Sequence, residues 1–167
     1  LSGNLFGVFW ASYINAPHDK SIYFLGKNRL SDAPEWMQYC TIQHGRDSTV
    51  CYEKDTVSIN FGGGSGVLFQ NIAPVWYSEP FFYGRIEDYV LIYVFAPGPL
   101  IRFSHSPSGG GKTEDGQASN PAWDFHLIVP DYEVGREYAM TMRLVYKPWA
   151  GRDDVIKEAQ RFLNPEP

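Results

Sequence analysis

A short polar segment carries the densest group of chemically active side chains in this sequence. It reads Gln43-His44-Gly45-Arg46-Asp47-Ser48. Histidine exchanges protons near neutral pH and arginine orients carboxylates or sugar hydroxyls, so such a segment suits acid/base chemistry. We therefore predict His44 and Asp47 as catalytic residues and Arg46 as a substrate-binding residue. The alternative is a solvated turn in which Asp47 and Ser48 cap backbone groups.

A second group of titratable residues flanks the glycine-rich segment 106–113. His105 ends one predicted strand, and Asp124 and His126 lie in the next. Alternation along a strand places Asp124 and His126 on one face and Trp123 on the other. His105 and Asp124 are predicted as a proton carrier and its partner, and the predicted substrate-binding residues are Asn120, Trp123 and His126. Because His105 shares its face with apolar side chains, a hydrogen-bonded core histidine is the alternative.

The residues around three familiar catalytic motifs argue against those motifs. Gly111-Lys112-Thr113 resembles a phosphate-binding loop, but position 106 is serine rather than glycine and no helical pattern follows. The serines at 104, 106 and 108 lack the Gly-x-Ser-x-Gly context of a hydrolase nucleophile. The histidines have no His-x-His spacing, so neither a metal site nor a cofactor is predicted.

Aromatic residues are abundant, with 5 tryptophans and 11 tyrosines. Sugar rings stack their apolar faces on aromatic rings while planar polar groups bind their hydroxyls. We predict Trp36, Tyr83 and Arg85 as further substrate-binding residues and assign most other aromatic residues to the core. The carboxylates that could form a glycosidase pair, at a separation that only the fold fixes, are Glu53, Glu79, Glu87, Asp47 and Asp124.

Length and charge limit the partners of the chain. With 167 residues, 44% of them hydrophobic, it can bury one core, and 1–167 is predicted as a single domain. The net charge of −5 argues against nucleic acid and against anionic membrane surfaces. No apolar run reaches the roughly 20 residues of a membrane-spanning helix, and no signal-peptide pattern is visible. The predicted partner is a carbohydrate; oligomeric state and cellular location are left open.

Strands must position these residues, because alternation with a period of two dominates the chain. Residues 5–14 have apolar side chains on both faces, which predicts a doubly covered central strand in a hairpin with 21–25. Residues 80–105 predict an antiparallel meander. Residues 27–43 have no clear period and are predicted as an ordered loop or as a loop with one helical turn at 36–39. Glycines at 62–66 predict a hairpin turn. The predicted strands are 5–14, 21–25, 49–53, 56–61, 67–70, 80–84, 89–95, 100–105, 122–129 and 137–146.

Helical spacing occurs only in 152–163, where the apolar residues form one stripe. Asp153 and Asp154 in its first turn complement the helix dipole. The predicted fold is therefore an all-β antiparallel sandwich, one of the large curved sandwiches, with one C-terminal α-helix.

The two cysteines, Cys40 and Cys51, have two interpretations. The ten residues between them could form a hairpin closed by a disulfide, which would contribute about 2–3 kcal/mol. The alternative is a pair of buried thiols. The absence of a Cys-x-x-Cys pattern argues against a zinc or thioredoxin-like site.

Four segments carry a resemblance to known proteins. They are 10–24, 81–85, 101–111 and 120–126, and the third reads IRFSHSPSGGG. They resemble an uncharacterised group of bacterial β-sandwich proteins. The predicted architecture is also similar to the carbohydrate-active supersandwiches of the galactose-mutarotase-like group. The resemblance implies a β-sandwich fold and brings no activity with it.

We expect a carbohydrate-active protein that hydrolyses or cleaves a glycan with acid/base side chains, in the manner of a glycoside hydrolase or polysaccharide lyase. The first alternative is a non-catalytic carbohydrate-binding or assembly module. The second is a metal-dependent enzyme on a β scaffold.

Overall fold

The computed structural model describes residues 5–43, 45–59, 70–110 and 119–165. These residues form ten strands followed by one helix. The strands are β1 (Leu5–Trp10), β2 (Ile22–Lys27), β3 (Glu35–Tyr39), β4 (Thr49–Tyr52), β5 (Ile72–Tyr77), β6 (Phe81–Ile86), β7 (Tyr89–Phe95), β8 (Leu100–Gly110), β9 (Asn120–Pro130) and β10 (Met142–Pro148). The helix is α1 (Arg152–Leu163).

The ten strands belong to one mixed sheet. Nine of them follow the order β1-β9-β8-β4-β5-β2-β6-β7-β10, and β3 pairs with β2 beside this path. The pair β4–β5 is parallel, whereas the other strand pairs of the described residues are antiparallel.

The sheet curls strongly into a half-barrel. Five strands separate β9 from β7 in the sheet order, yet the rings of Phe125 and Phe95 lie 4.9 Å apart. The Trp123 side chain of β9 likewise lies over Gly84 of β6, where a Cβ would overlap its ring. The concave face therefore packs against itself and forms an aromatic core that also includes Phe24, Phe82 and Phe103.

The helix covers the convex face. Val155 and Ala159 are buried against Val90, Ile92 and Val94 of β7, as the apolar stripe of α1 requires. Among the described residues, none of the helices has the length and apolar character that a bilayer span needs.

The predicted fold class is confirmed: the chain is mostly β with a C-terminal helix, and the helix bounds 152–163 agree with α1. Six predicted strands also correspond to β2, β4, β6, β7, β8 and β9; they are 21–25, 49–53, 80–84, 89–95, 100–105 and 122–129. The two layers that a sandwich would provide are here parts of one curled sheet. The prediction for 5–14 is confirmed only as far as Trp10.

The predicted environment of β1 is wrong. This strand lies at the edge of the sheet, pairs with β9 and forms no hairpin with β2, which pairs with β3, β5 and β6. Phe6, Phe9 and Trp10 are 49%, 40% and 54% exposed. Apolar side chains on both faces therefore do not show that a strand is central: among the described strands β1 pairs with β9 alone, and its side chains stay partly exposed.

Three further predictions need correction. The meander over 80–105 stops after β6–β7, because β7 pairs next with β10 and β8 pairs with β9 and β4. The strand predicted at 137–146 begins at Met142 and ends at Pro148. Residues 56–59 are irregular, while the predicted segment 60–69, with its glycine-rich turn, lies outside the described residues.

The cysteines form no disulfide: Cys40 and Cys51 are both free thiols. Cys51 is buried and Cys40 is exposed, so the prediction of two buried thiols is correct only for Cys51.

Candidate functional site

His105 is held in the interior by both of its ring nitrogens. Its Nδ1 lies 3.2 Å from the Thr41 amide and 3.1 Å from the Thr41 hydroxyl, and its Nε2 lies 2.6 Å from the Lys20 carbonyl oxygen. The side chain is fully buried, and this burial lowers the pKa of His105 to about 4. The arrangement is that of a hydrogen-bonded core histidine, which holds its place by contacts with backbone and hydroxyl groups.

Asp124 lies on the opposite face of the sheet from His105. The register pairs His105 with Trp123 and Ser104 with Asp124, so alternation places the two predicted catalytic side chains on different faces. The amide of Ser12 donates to Oδ1 of Asp124 at 2.6 Å. Burial raises the pKa of Asp124 to about 7, against the opposing effect of this hydrogen bond.

His126 shares the convex face with Asp124, as predicted, and lies next to a buried ion pair. Its partner in the register, Arg102, contacts Asp55 at 2.6 Å, and both charged side chains are at most 2% exposed. Burial, helped by the Arg102 charge, lowers the pKa of His126 to about 3. The Phe9 ring lies 5.1 Å from the imidazole. His126 is therefore buried beside an arginine whose charge is neutralised by Asp55.

The polar turn before β4 is a surface feature. Arg46 and Asp47 are 61% and 45% exposed at their side chains and lie 3.7 Å apart. The Asp47 carbonyl accepts a hydrogen bond from the Tyr39 hydroxyl, and Asp47 has a positive φ of 51°. The predicted catalytic residue His44 lies outside the described residues.

Asn120 and Trp123, two predicted substrate-binding residues, are buried where β9 contacts the segment between β1 and β2. The Asn120 amide donates to the Asn15 side-chain oxygen at 2.6 Å, and the Trp123 indole donates to the Lys20 carbonyl at 3.1 Å. Lys20 itself donates from Nζ to the carbonyls of residues 107 and 119. These contacts hold the segment around Lys20 against β8 and β9.

The structure brings Trp36, Tyr83 and Arg85 together on the convex face. Tyr83 stacks on Tyr23 with ring centroids 5.0 Å apart and on Trp149 at 5.5 Å. Trp36 meets Tyr83 edge-on at 5.7 Å. With Arg152, these residues form what we call the arginine–aromatic cluster: Tyr23, Trp36, Tyr83, Arg85, Trp149 and Arg152.

Each tryptophan of the cluster lies under a guanidinium group. Arg85 Cζ is 4.9 Å from the Trp149 ring centroid, and Arg152 Cζ is 5.2 Å from that of Trp36. Arg152 also donates from Nε to the Tyr83 hydroxyl at 3.3 Å. Both arginine charges oppose the rise in the pKa of Tyr83 that burial causes, so both act at this hydroxyl.

Polar residues before β2 border the cluster. The Tyr23 hydroxyl donates to Asp19 Oδ2 at 2.6 Å, and this bond adds to burial in raising the pKa of Tyr23. His18 Nε2 lies 3.3 Å from Arg85 Nη1, and the His18 amide donates to the Arg85 carbonyl at 2.9 Å. The cluster thus combines flat apolar rings with hydrogen-bonding groups of both charges.

Neighbouring elements of the sheet explain how these side chains meet. β2 pairs with β3 on one side and with β6 on the other, and the register places Tyr23 opposite Tyr83. Two residues further along β6, Arg85 projects from the same face. The Trp149 amide donates to the Asp88 carbonyl at 2.8 Å, which holds the loop before α1 against the β6–β7 turn.

Sequence reasoning missed Tyr23, Trp149, Arg152, Asp19 and His18. The available signal was alternation: Tyr23 and Leu25 share a strand face, as do Tyr83 and Arg85. The approach of Trp149 and Arg152 had no local signal, because it depends on the pairing of β10 with β7.

A separate cleft of about 470 Å³ lies at the ends of β4, β5 and β7. Two of the predicted glycosidase carboxylates, Glu53 and Glu79, line it together with Tyr52 and Lys54. Glu53 accepts hydrogen bonds from Lys27 at 2.7 Å and from Ser78 at 2.8 Å. The Lys27 contact is the main reason that the pKa of Glu53 lies below its ordinary value.

Within the described ranges, no group of three or more histidine, cysteine, aspartate or glutamate side chains is arranged to hold a metal ion. Comparisons with protein-family models, curated proteins and solved structures found no match for this chain. The resemblance to bacterial β-sandwich proteins therefore stays a prediction.

Proposed function

We propose that this protein binds a carbohydrate through the arginine–aromatic cluster. The observation that carries the proposal is the meeting of Trp36, Tyr83 and Arg85, three residues expected to bind sugar from their types alone. They come from β3 and β6, and Trp149 joins them from the loop before α1. Trp36, Trp149, Arg85 and Arg152 reach the surface, whereas Tyr83 is only 1% exposed and supports their rings from below.

The chemistry of the cluster suits a sugar ring. Trp36 and Trp149 are partly exposed, so their rings and edges can contact the apolar C–H groups of a pyranose. Arg152 is exposed, and an exposed cation–π contact contributes only about 0.5–1 kcal/mol. Its guanidinium can therefore leave the Trp36 face at small cost when ligand hydroxyls offer better hydrogen bonds.

Binding can be tested with a panel of soluble oligosaccharides and variants of the full chain. Trp36→Ala and Trp149→Ala should each weaken binding about 10-fold or more, which corresponds to about 1.4 kcal/mol. Trp76→Ala is the matched control, because Trp76 is also partly exposed but lies in β5, whereas Trp36 lies in β3, and each strand pairs with β2. Equal loss in all three variants, or in none, would contradict the proposal.

We propose glycan cleavage by acid/base catalysis as a second candidate function, favoured by the cleft that Glu53 and Glu79 share. Lys27 lowers the pKa of Glu53, which favours the ionised form that a base or nucleophile needs, and Glu79 lines the same cleft as the second carboxyl group of the pair. This pair differs from the predicted catalytic set His44, Asp47, His105 and Asp124.

Release of reducing ends from the glycan panel measures this activity. The second candidate predicts that Glu53→Gln and Glu79→Gln abolish cleavage while His105→Gln reduces it only through lost stability. Cleavage that survives both glutamate substitutions would refute it. Binding without any cleavage would support the carbohydrate-binding proposal and refute the catalytic one.

A further inference from the structure

Two arginines of the cluster differ from most other arginines of the chain, because they form no ion pair with a carboxylate among the described residues. These two are Arg85 and Arg152. The arginines that do form such pairs are Arg46, Arg102, Arg136, Arg143 and Arg161. In a chain of net charge −5, acidic partners are not scarce, so the two guanidinium groups stand out at one place on the surface.

Arg85 has hydrogen-bonding capacity that the fold leaves unused. Its Nε is buried and has no partner among the described residues. Within the part of the chain that the structure describes, the contacts of its terminal nitrogens are long, 3.3 Å to His18 Nε2 and 3.5 Å to the Glu87 carbonyl. Because these long contacts leave the exposed terminal nitrogens weakly bonded, the guanidinium can donate through them to an anionic partner from outside the chain.

Arg152 can contribute to the same partner. It is exposed at the start of α1, and its Nε makes one hydrogen bond, to the Tyr83 hydroxyl at 3.3 Å. The Asp19 carboxylate borders this region, but it already accepts hydrogen bonds from the Tyr23 hydroxyl and the Ser21 amide.

We infer that the carbohydrate bound by the arginine–aromatic cluster carries a carboxylate, as in a uronic acid unit, and that Arg85 and Arg152 bind this group. The inference rests on the proposed carbohydrate binding. A planar carboxylate matches the fork of a guanidinium, and the adjacent pyranose ring would meet Trp36 or Trp149. The negative charge of the whole chain disfavours longer polyanions such as nucleic acids.

The test compares oligomers of galacturonic acid with the same oligomers after reduction of their carboxyl groups, which keeps the sugar backbone and removes the charge. Binding to the full chain is measured by calorimetry, with oligothymidine as a third ligand. The expected result is that the acid form binds about 10-fold or more tightly than the reduced form, the range of a charge-assisted hydrogen bond. Added salt should weaken the acid form selectively.

Arg85→Gln and Arg152→Gln should each remove most of the preference for the acid form. Arg136→Gln is the matched control, because Arg136 also lies over an aromatic ring, that of Tyr138 at 5.4 Å, but is paired with Glu133. Circular dichroism and thermal unfolding confirm that each variant is folded.

Three outcomes distinguish failure of the carboxylate inference from failure of the proposed carbohydrate binding. Equal binding of acid and reduced forms would overturn the inference and leave carbohydrate binding intact. If the acid form, the reduced form and every neutral glycan of the panel all fail to bind, the carboxylate inference and the proposed carbohydrate binding are both overturned. Tighter binding of oligothymidine that is lost in Arg85→Gln and Arg152→Gln would also overturn the inference, because the cluster would then recognise a different class of polymer.

Discussion

Replacing Asp124 with asparagine should change how stability depends on pH. In the folded chain burial raises the pKa of Asp124 from 3.8 to about 7, whereas in the unfolded chain the carboxyl titrates near its ordinary value. Between about pH 4 and pH 7 the folded state therefore holds a proton that the unfolded state has released. The contribution of this carboxyl to stability must fall as the pH rises through this interval.

The size of the effect follows from the shift. A change from 3.8 to about 7 is about three pKa units, and each unit corresponds to about 1.4 kcal/mol. The wild-type chain should therefore lose about 4 kcal/mol from this group by pH 8. Asparagine has the shape of the protonated carboxyl, can accept the hydrogen bond from Ser12 and does not ionise. The variant should match wild type near pH 4 and exceed its stability by about 4 kcal/mol at pH 8.

Urea unfolding followed by tryptophan fluorescence from pH 4.5 to 8.5 measures the difference between Asp124→Asn and wild type. Other titrating groups are common to both chains and cancel in this difference. Asp88→Asn, which removes an exposed carboxylate from the β6–β7 turn, is the control. A flat difference for Asp124→Asn, or one that declines as the pH rises, would refute the reasoning.

Three more predictions follow from packing and charge. Gly84→Ala should destabilise the fold by about 1–3 kcal/mol and lower the Tm by several degrees in calorimetry, because its Cβ would overlap the buried ring of Trp123; an unchanged Tm would contradict the close approach of β6 and β9. Asp55→Ala should lower the free energy of unfolding, measured with urea, by about 3–5 kcal/mol because it leaves the Arg102 charge buried. Adding Arg102→Met should recover much of this loss, and no recovery would argue against the ion pair as its cause. A thiol reagent should label exposed Cys40 in the native chain and Cys51 only after unfolding; labelling of both at one rate would show that Cys51 is accessible.

The parts of the fold that depend on local pattern could be predicted from the sequence. The helix Arg152–Leu163 was predicted because its apolar residues recur with helical spacing. No strand was predicted at β5, where Pro74 weakens the strand pattern although Ala73 and Val75 are buried as alternation requires. Proline is tolerated there because the β4–β5 register shifts between the pairs Thr49–Ile72 and Cys51–Trp76, and β2 pairs with β5 beyond Pro74, at Trp76 and Tyr77.

The order of the strands could not be predicted, because the curl of the sheet decides it. Nothing local shows that β8 returns to pair with β4 or that β10 lies beside β7. Phe95 and Phe125 read as core residues of separate strands, and only the closed half-barrel places them in contact.

The candidate site was predictable by residue type but not by assembly. Trp36, Tyr83 and Arg85 were expected to bind sugar because of their side chains, and they meet because β3, β2 and β6 are neighbours. The expected partnership of His105 and Asp124 depended on a register that the sequence does not specify. With His105 opposite Trp123, the two side chains point to different faces.

The central claim is that the arginine–aromatic cluster binds carbohydrate, and the indole N–H resonances of the tryptophans test it most directly. In a 15N-labelled full chain titrated with trigalacturonate, the signals of Trp36 and Trp149, assigned by single Trp→Phe variants, should shift and saturate together. Those of buried Trp123 and of Trp76 should stay in place. Saturable binding of the sugar that moves the Trp76 signal and leaves Trp36 and Trp149 unchanged would contradict the account.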